Sequence, residues 1–206
     1  MNKIITFFFI LFILAVTNIQ AQDTINLLNG KQIIAKSIYE EPSSTLLKYD
    51  IGFRNKSKQK AVDLLNVYSI NYFNKTNKIF YKQDSAIGYN LSIPQMNYYI
   101  MGEREAIKNC KTQWIAVGGF ILGVTATHVM QFWGVITPAV YAAAIGISNP
   151  KMHYSENINY STSSDFNFNE GYKFKATHKK VKNALLGSII GITAYAITSY
   201  TINVLY

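Results

Sequence analysis

The feature that most constrains this chain is a pair of long uncharged runs. Residues Thr112–Pro150 contain no Asp, Glu, Lys or Arg, and neither do residues Asn183–Tyr206. Each run is longer than the ~18 apolar residues that mark a candidate membrane helix. Each also carries small residues one turn apart, Gly119-x-x-x-Gly123 in the first and Gly187-x-x-x-Gly191 in the second. Glycines at that spacing let two helix backbones approach closely in a bilayer, supported in the first run by Ala142 and Gly146. These four glycines are the predicted helix-packing positions.

The first run poses a length problem. A single helix from Trp114 to Ser148 would measure roughly 52 Å, well beyond a ~30 Å hydrocarbon core. A helical hairpin over residues 113–148 resolves this, with its turn near Gln131-Phe132-Trp133-Gly134. Pro138 then falls in the first turn of the second helix, where a missing N–H costs little. A kinked single crossing and a re-entrant second half are the alternatives.

The rest of the chain is organised before and between these runs. Residues 1–21 read as a cleaved signal peptide, with Lys3 before an apolar core from Ile4 to Val16 and Ala21 at the cut. Residues 22–92 read as a small all-β unit. Asn29-Gly30 between two apolar-rich runs is a strong hairpin signal, because such a turn requires positive φ. Alternation at Leu47, Tyr49, Ile51 and Phe53 predicts one buried face, and Tyr68, Ile70 and Tyr72 predict another. Arg54–Lys60 reads as a polar basic turn. Five strands in about 60 residues suggest a barrel-like fold.

Residues 93–112 form a predicted amphipathic linker helix, with Met96, Ile100, Ile107, Cys110 and Trp114 near one face and Glu103 interrupting it. Residues 149–172 are a polar loop. Residues 173–206 are a basic lead-in and a closing transmembrane helix. Lys111, Trp114, Lys179, Lys180 and Lys182 are the expected membrane-interface residues. The lysine cluster before the last helix favours the cytoplasm by the positive-inside rule. A cleaved signal followed by a hairpin places it outside. The sequence leaves that conflict open.

Several stretches resemble a group of uncharacterised exported proteins of Bacteroidetes-type bacteria. They are Asp23-Thr24-Ile25, Asn29-Gly30-Lys31, Val67-Tyr68-Ser69-Ile70-Asn71-Tyr72, then Gly102-Glu103-Arg104-Glu105-Ala106 and Gly171-Tyr172. The resemblance implies an N-terminal small β domain followed by Gly-rich membrane helices. It implies no chemistry.

Composition narrows the function classes. Charged residues make up 15% and hydrophobic residues 49% of the 206-residue chain, against ~25% charged in an average soluble protein. The net charge is +9, from 20 Lys and Arg against 11 Asp and Glu. For an exported chain that excess suits anionic lipid headgroups, and nucleic acid is not expected. One cysteine, Cys110, excludes an internal disulfide and reads as a small apolar residue on a helix face. No P-loop, GxGxxG, HExxH or CxxC motif is present. His128, His153 and His178 are too far apart for a local metal site, and His128 reaches the interface near the expected turn. Glu103 and Glu105 are expected to pair with Lys108 or Lys111 on a solvated face.

The expected protein is therefore α+β: a barrel-like β domain, an amphipathic helix and a bundle of two or three transmembrane helices. The expected function is a non-enzymatic cell-envelope membrane protein with its β domain in the periplasm, binding an envelope protein or another copy of itself. No cofactor and no metal are expected. The alternative is an oligomeric pore or transport accessory built from the glycine-bearing helices.

Overall fold

The computed structural model describes residues 22–53 and 56–205, so the expected signal peptide at 1–21 lies outside the described residues. The chain is mixed α+β and divides into two compact units. One holds the residues up to Leu28 with Gln32–Tyr81. The other holds Asn29–Lys31 with Lys82 onward.

Among the described residues the β unit has seven strands: β1 (Asp23–Leu27), β2 (Gln32–Ala35), β3 (Ser37–Tyr39), β4 (Leu46–Phe53), β5 (Lys56–Asp63), β6 (Val67–Asn71) and β7 (Asn77–Ile79). They form two antiparallel sheets, ordered β2-β1-β6-β7 and β3-β4-β5, and these do not close into the barrel that a barrel-like fold suggested. The division falls at Lys36. This single residue separates β2 from β3, and its N–H turns to the Asp50 carbonyl at 2.8 Å, so the chain passes from one sheet to the other. Both sheets supply one core of Ile25, Leu27, Ala35, Leu47, Tyr49, Val67 and Ile70.

The Asn29-Gly30 hairpin forms, but with a four-residue connection. Only Gly30 takes positive φ, at 75°, while Asn29 Oδ1 accepts the Lys31 N–H at 3.1 Å. The stretch expected as a basic turn is instead strand from Lys56 onward. β5 lies at the edge of its sheet, where lysines are well placed to discourage further strand addition. β6 is buried on both faces: Val67 and Ile70 sit in the core, and Ser69 accepts from the Asn26 side chain at 3.0 Å. That is why period-two alternation assigns it only half correctly.

The helical unit contains α1 (Ile93–Asn109), α2 (Gln113–Met130), α3 (Thr137–Ile147), the single turn α4 (Tyr160–Ser163) and α5 (Phe166–Leu205). α1 begins with a capping box, in which Ser92 and Gln95 satisfy each other's backbone and Pro94 stands in the first turn. α5 has 40 residues, a length of roughly 60 Å. α1 and α2 follow one another along it, both parallel to it. Lys179 Nζ donates to the Ile107 carbonyl at 2.9 Å, a separation of 72 residues. The Asn183 amide donates to Thr112 Oγ1, a separation of 71. The register therefore persists across the break between α1 and α2.

α3 returns antiparallel to α2. Gly134 lies against Ala126 and Thr127 near the turn, and Tyr141 further along donates to the Ile115 carbonyl at 3.1 Å. A 3-10 turn, Gln131–Ile136, connects the two helices where the hairpin reading expected it. Gln131 takes a positive φ of 46° there.

Glycine allows the closest approach. A Cβ on Gly119 would stand 2.6 Å from the Ala184 carbonyl oxygen, and one on Gly187 would strike the Ala116 carbonyl. The contacts are reciprocal: Ala184 precedes Gly187 by three residues, and Ala116 precedes Gly119 by three. The same holds for Gly123 with Ser188 and Gly191 with Phe120. The underlying segments repeat, Gly119-Phe-Ile-Leu-Gly-Val-Thr-Ala126 against Gly187-Ser-Ile-Ile-Gly-Ile-Thr-Ala194. Their threonines make the same bond, Thr125 to the Ile121 carbonyl and Thr193 to the Ile189 carbonyl, each at 2.9 Å.

Candidate functional site

The charge boundary of the helical unit is where the chain concentrates polar chemistry. α1 ends at Asn109 with Lys108 in its last turn, α2 loses all charge from Thr112, α3 ends at Ile147, and α5 loses all charge from Asn183. All four transitions meet around one cavity of about 580 Å³, lined by Asn109, Cys110, Lys111, Asn149, Lys151, His153, Tyr154 and Lys180.

Its walls are held from behind. Glu105, buried in α1, accepts from the Asn109 amide and from the Ser155 N–H. Asn109 also donates to Ser155 Oγ at 2.9 Å. The Tyr172 hydroxyl accepts the His153 N–H at 3.0 Å and donates to the His153 carbonyl at 3.3 Å. Tyr154 donates to Asn169 Oδ1 at 2.9 Å. These bonds pin the segment after α3 against α1 and α5. Beneath it pack Ala106, Cys110, Tyr172 and Ala176, with Met152 against them.

The electrostatic balance of the cavity is one-sided. Lys111, Lys151 and Lys180 line it, no carboxylate does, and among the described residues none of the three forms an ion pair. Of the nearby acids, Glu156 is not among the lining residues, and Glu105 turns one oxygen to Asn109 and Ser155. Glu103 faces α5, where Lys175 Nζ approaches at 3.7 Å.

The expectation that Glu103 and Glu105 pair with Lys108 or Lys111 on a solvated face is therefore overturned. Both are buried, because α1 packs along α5 instead of lying in solvent. Burial pushes the Glu103 carboxyl up to about 7, against which Lys175 pulls down. One of its oxygens, Oε2, has no hydrogen-bond partner.

The sequence-predicted residues divide between two places. Gly119, Gly123, Gly187 and Gly191 all lie on the seam between α2 and α5. Lys111 and Lys180 line the cavity, and Lys179 is bonded to the end of α1. Lys182 is exposed on α5. Trp114 is 84% exposed, two residues into the uncharged run. Cys110 is buried as expected, and it also borders the cavity. His128 Nδ1 lies 3.2 Å from the Tyr195 hydroxyl, with the rings edge-on at 5.6 Å. His178 lies against Phe174, with ring centroids 4.5 Å apart and planes tilted by 54°. Among the described residues no cluster of His, Cys, Asp and Glu is arranged to hold a metal ion.

Sequence reasoning missed Asn149, Lys151, His153 and Tyr154, which it assigned to a loose loop. The signal available was Lys151 one residue beyond the uncharged run, matching Lys111 just before it. It also missed Gly102 and Gly171, which extend the glycine seam into the polar half of the unit.

A smaller cavity of about 350 Å³ lies in the β unit, lined in part by Glu40, Glu41, Lys78 and Phe80. There Tyr72 and Lys78 both donate to Glu40. Burial alone would raise the Glu40 carboxyl, but these two donors hold it below its ordinary value.

No protein-family model, no curated protein and no solved structure matches this chain. Among the described residues two helices, α2 and α5 through Thr201, are long and apolar enough to cross a membrane by length and composition.

Proposed function

We propose that this is a non-enzymatic membrane protein of the cell envelope, in which a paired-helix anchor carries an exported β domain that binds an envelope protein partner. The observation that carries the reading is the division of side chains on α2 and α5. Small residues (Gly119, Gly123, Ala184, Gly187 and Ser188) face the seam and are buried. Large apolar ones such as Ile121, Val129, Ile189, Ile190 and Ile197 are more than half exposed. A water-soluble bundle buries its large residues, whereas a bilayer takes them at no cost and leaves close packing to the small ones. The seam functions as the anchor's internal joint.

The pore reading is less well supported. It motivated itself on the glycines and on Thr193, Thr198, Ser199 and Asn203. The four glycines of the two motifs already meet within one chain. Thr193 and Thr198 return their hydroxyls to carbonyls one turn earlier at 2.9 and 3.0 Å, the ordinary way a helix satisfies a hydroxyl in an apolar setting.

Carbonate extraction of cells expressing the chain without residues 1–21 tests the anchor. Retention in the membrane pellet is expected, and release into the soluble fraction overturns it. Export is tested by protease accessibility of the β domain in spheroplasts, where cleavage is expected.

A further inference from the structure

We propose that the cavity lined by Lys111, Lys151, His153 and Lys180 holds the phosphate of an anionic phospholipid headgroup, an assignment that rests on the membrane reading above. The cavity has three properties that such a ligand requires. It stands where α2, α3 and α5 all change from charged to uncharged sequence, which is the depth of a headgroup layer. Its cations come from three separate chain segments: the α1–α2 break, the stretch after α3, and α5. They converge on one space with no carboxylate among its lining residues. Cations brought together in this way repel one another unless an anion sits between them.

The lining also includes uncharged polar residues. Asn149 offers an amide for ester and glycerol oxygens, while Asn109 and Tyr154 are held in the wall by bonds to Glu105, Ser155 and Asn169. Trp114, exposed in the first turn of α2 and three residues after Lys111 of the cavity wall, is a reporter at the same charge boundary. Basic pockets between helices at the bilayer boundary are a general means of retaining anionic lipid. A free phosphate anion would satisfy the same cations, so the two sources must be separated by experiment.

The test uses the full chain without residues 1–21, carrying Trp133→Phe so that Trp114 is the single tryptophan. It is placed in nanodiscs of phosphatidylcholine with a minor fraction of phosphatidylglycerol, either lipid being brominated in turn. Brominated phosphatidylglycerol is expected to quench Trp114 as though enriched roughly tenfold over its bulk fraction. The enrichment is expected to vanish in the Lys111→Gln, Lys151→Gln, Lys180→Gln triple variant. It should persist in Lys108→Gln, Lys182→Gln, which removes charge outside the cavity. Ten-millimolar inorganic phosphate should leave it unchanged.

Quenching by the two lipids in simple proportion to their fractions overturns the proposal. So does enrichment that survives the triple variant, or that free phosphate abolishes. If the triple variant misfolds by circular dichroism, the wild-type competition between the two brominated lipids still decides. Failure of the membrane reading itself would look different: neither brominated lipid would quench Trp114 at all.

Discussion

Gly102 and Gly171 are reciprocal partners: a Cβ on Gly102 would strike the carbonyl of Phe168, three residues before Gly171, and one on Gly171 would strike that of Tyr99, three residues before Gly102. The same relation recurs for Gly119 with Gly187 and for Gly123 with Gly191. Three reciprocal pairs along two parallel helices describe an approximate two-fold axis running along the helix pair. The α1–α2 line and α5 thus pack as two copies of one element would.

The seam predicts a graded response to added volume. Gly119→Ala must displace backbone, whereas Gly146→Ala meets only the end of the Val181 side chain at 3.3 Å. We expect Gly119→Ala to cost about 1–3 kcal/mol and Gly146→Ala well under half of that. Reversible unfolding in mixed micelles measures both. Equal effects would show that α2 and α5 do not approach through Gly119.

Glu103 predicts a pH dependence of known sign. Its carboxyl is raised from 4.5 to about 7 by burial, with Lys175 opposing and Tyr99 also close enough to feel its charge. Between those values the folded chain holds a proton that the unfolded chain has released. Stability therefore falls as pH rises from about 4.5 to about 7 and levels off above. Glu103→Gln should flatten that slope and stabilise the protein at pH 8 by up to roughly 3 kcal/mol. Denaturation of wild type and variant at pH 5 and pH 8 checks both parts. A slope that survives in the variant assigns the effect elsewhere.

The bond between His128 and Tyr195 predicts a small structural effect and no chemistry. Tyr195→Phe removes a hydroxyl contact of 3.2 Å near the end of the seam. Polar contacts between membrane helices average about 0.6 kcal/mol. A loss of that order is expected in micelle unfolding. Loss of a cellular phenotype in Tyr195→Phe with stability unchanged would point to a functional role for the pair.

The antiparallel return of α3 predicts a topology. Reporters after Ser92 and after Asn159 should report the same side of the membrane, and one after Thr201 the opposite side. Opposite reporting at Ser92 and Asn159 would favour a single kinked crossing. The side found for Asn159 also decides between the signal peptide and the lysine cluster.

How much of this was legible in the sequence depends on the element. The uncharged runs gave α2, the turn at Gln131–Gly134 and the second half of α5, because charge exclusion is a property of local sequence. The first half of α5 was read as a loop and lead-in. Its lysines mask a face of Phe168, Gly171, Tyr172 and Ala176 that is buried only because α1 lies on it. Glu103 was read as an interruption for the same reason. The strand β5 was hidden by its lysines, which an edge position tolerates. The repeat between Gly119–Ala126 and Gly187–Ala194 was available to direct comparison of the two runs. It specifies the pairing more sharply than two separate glycine motifs do. The cavity was not legible, since its lysines are up to 69 residues apart and only the return of α3 gathers them.

The two sides of the pair differ at one level. α5 runs through the charge boundary as one unbroken helix, whereas its counterpart is interrupted at Cys110–Thr112. The break places Asn109, Cys110 and Lys111 in the cavity wall, facing the residues that the return of α3 brings there. It also separates two mechanical roles. A pull on the polar end would travel to the apolar end through α5 as through a shaft, while the jointed partner beside it has a point at which to bend.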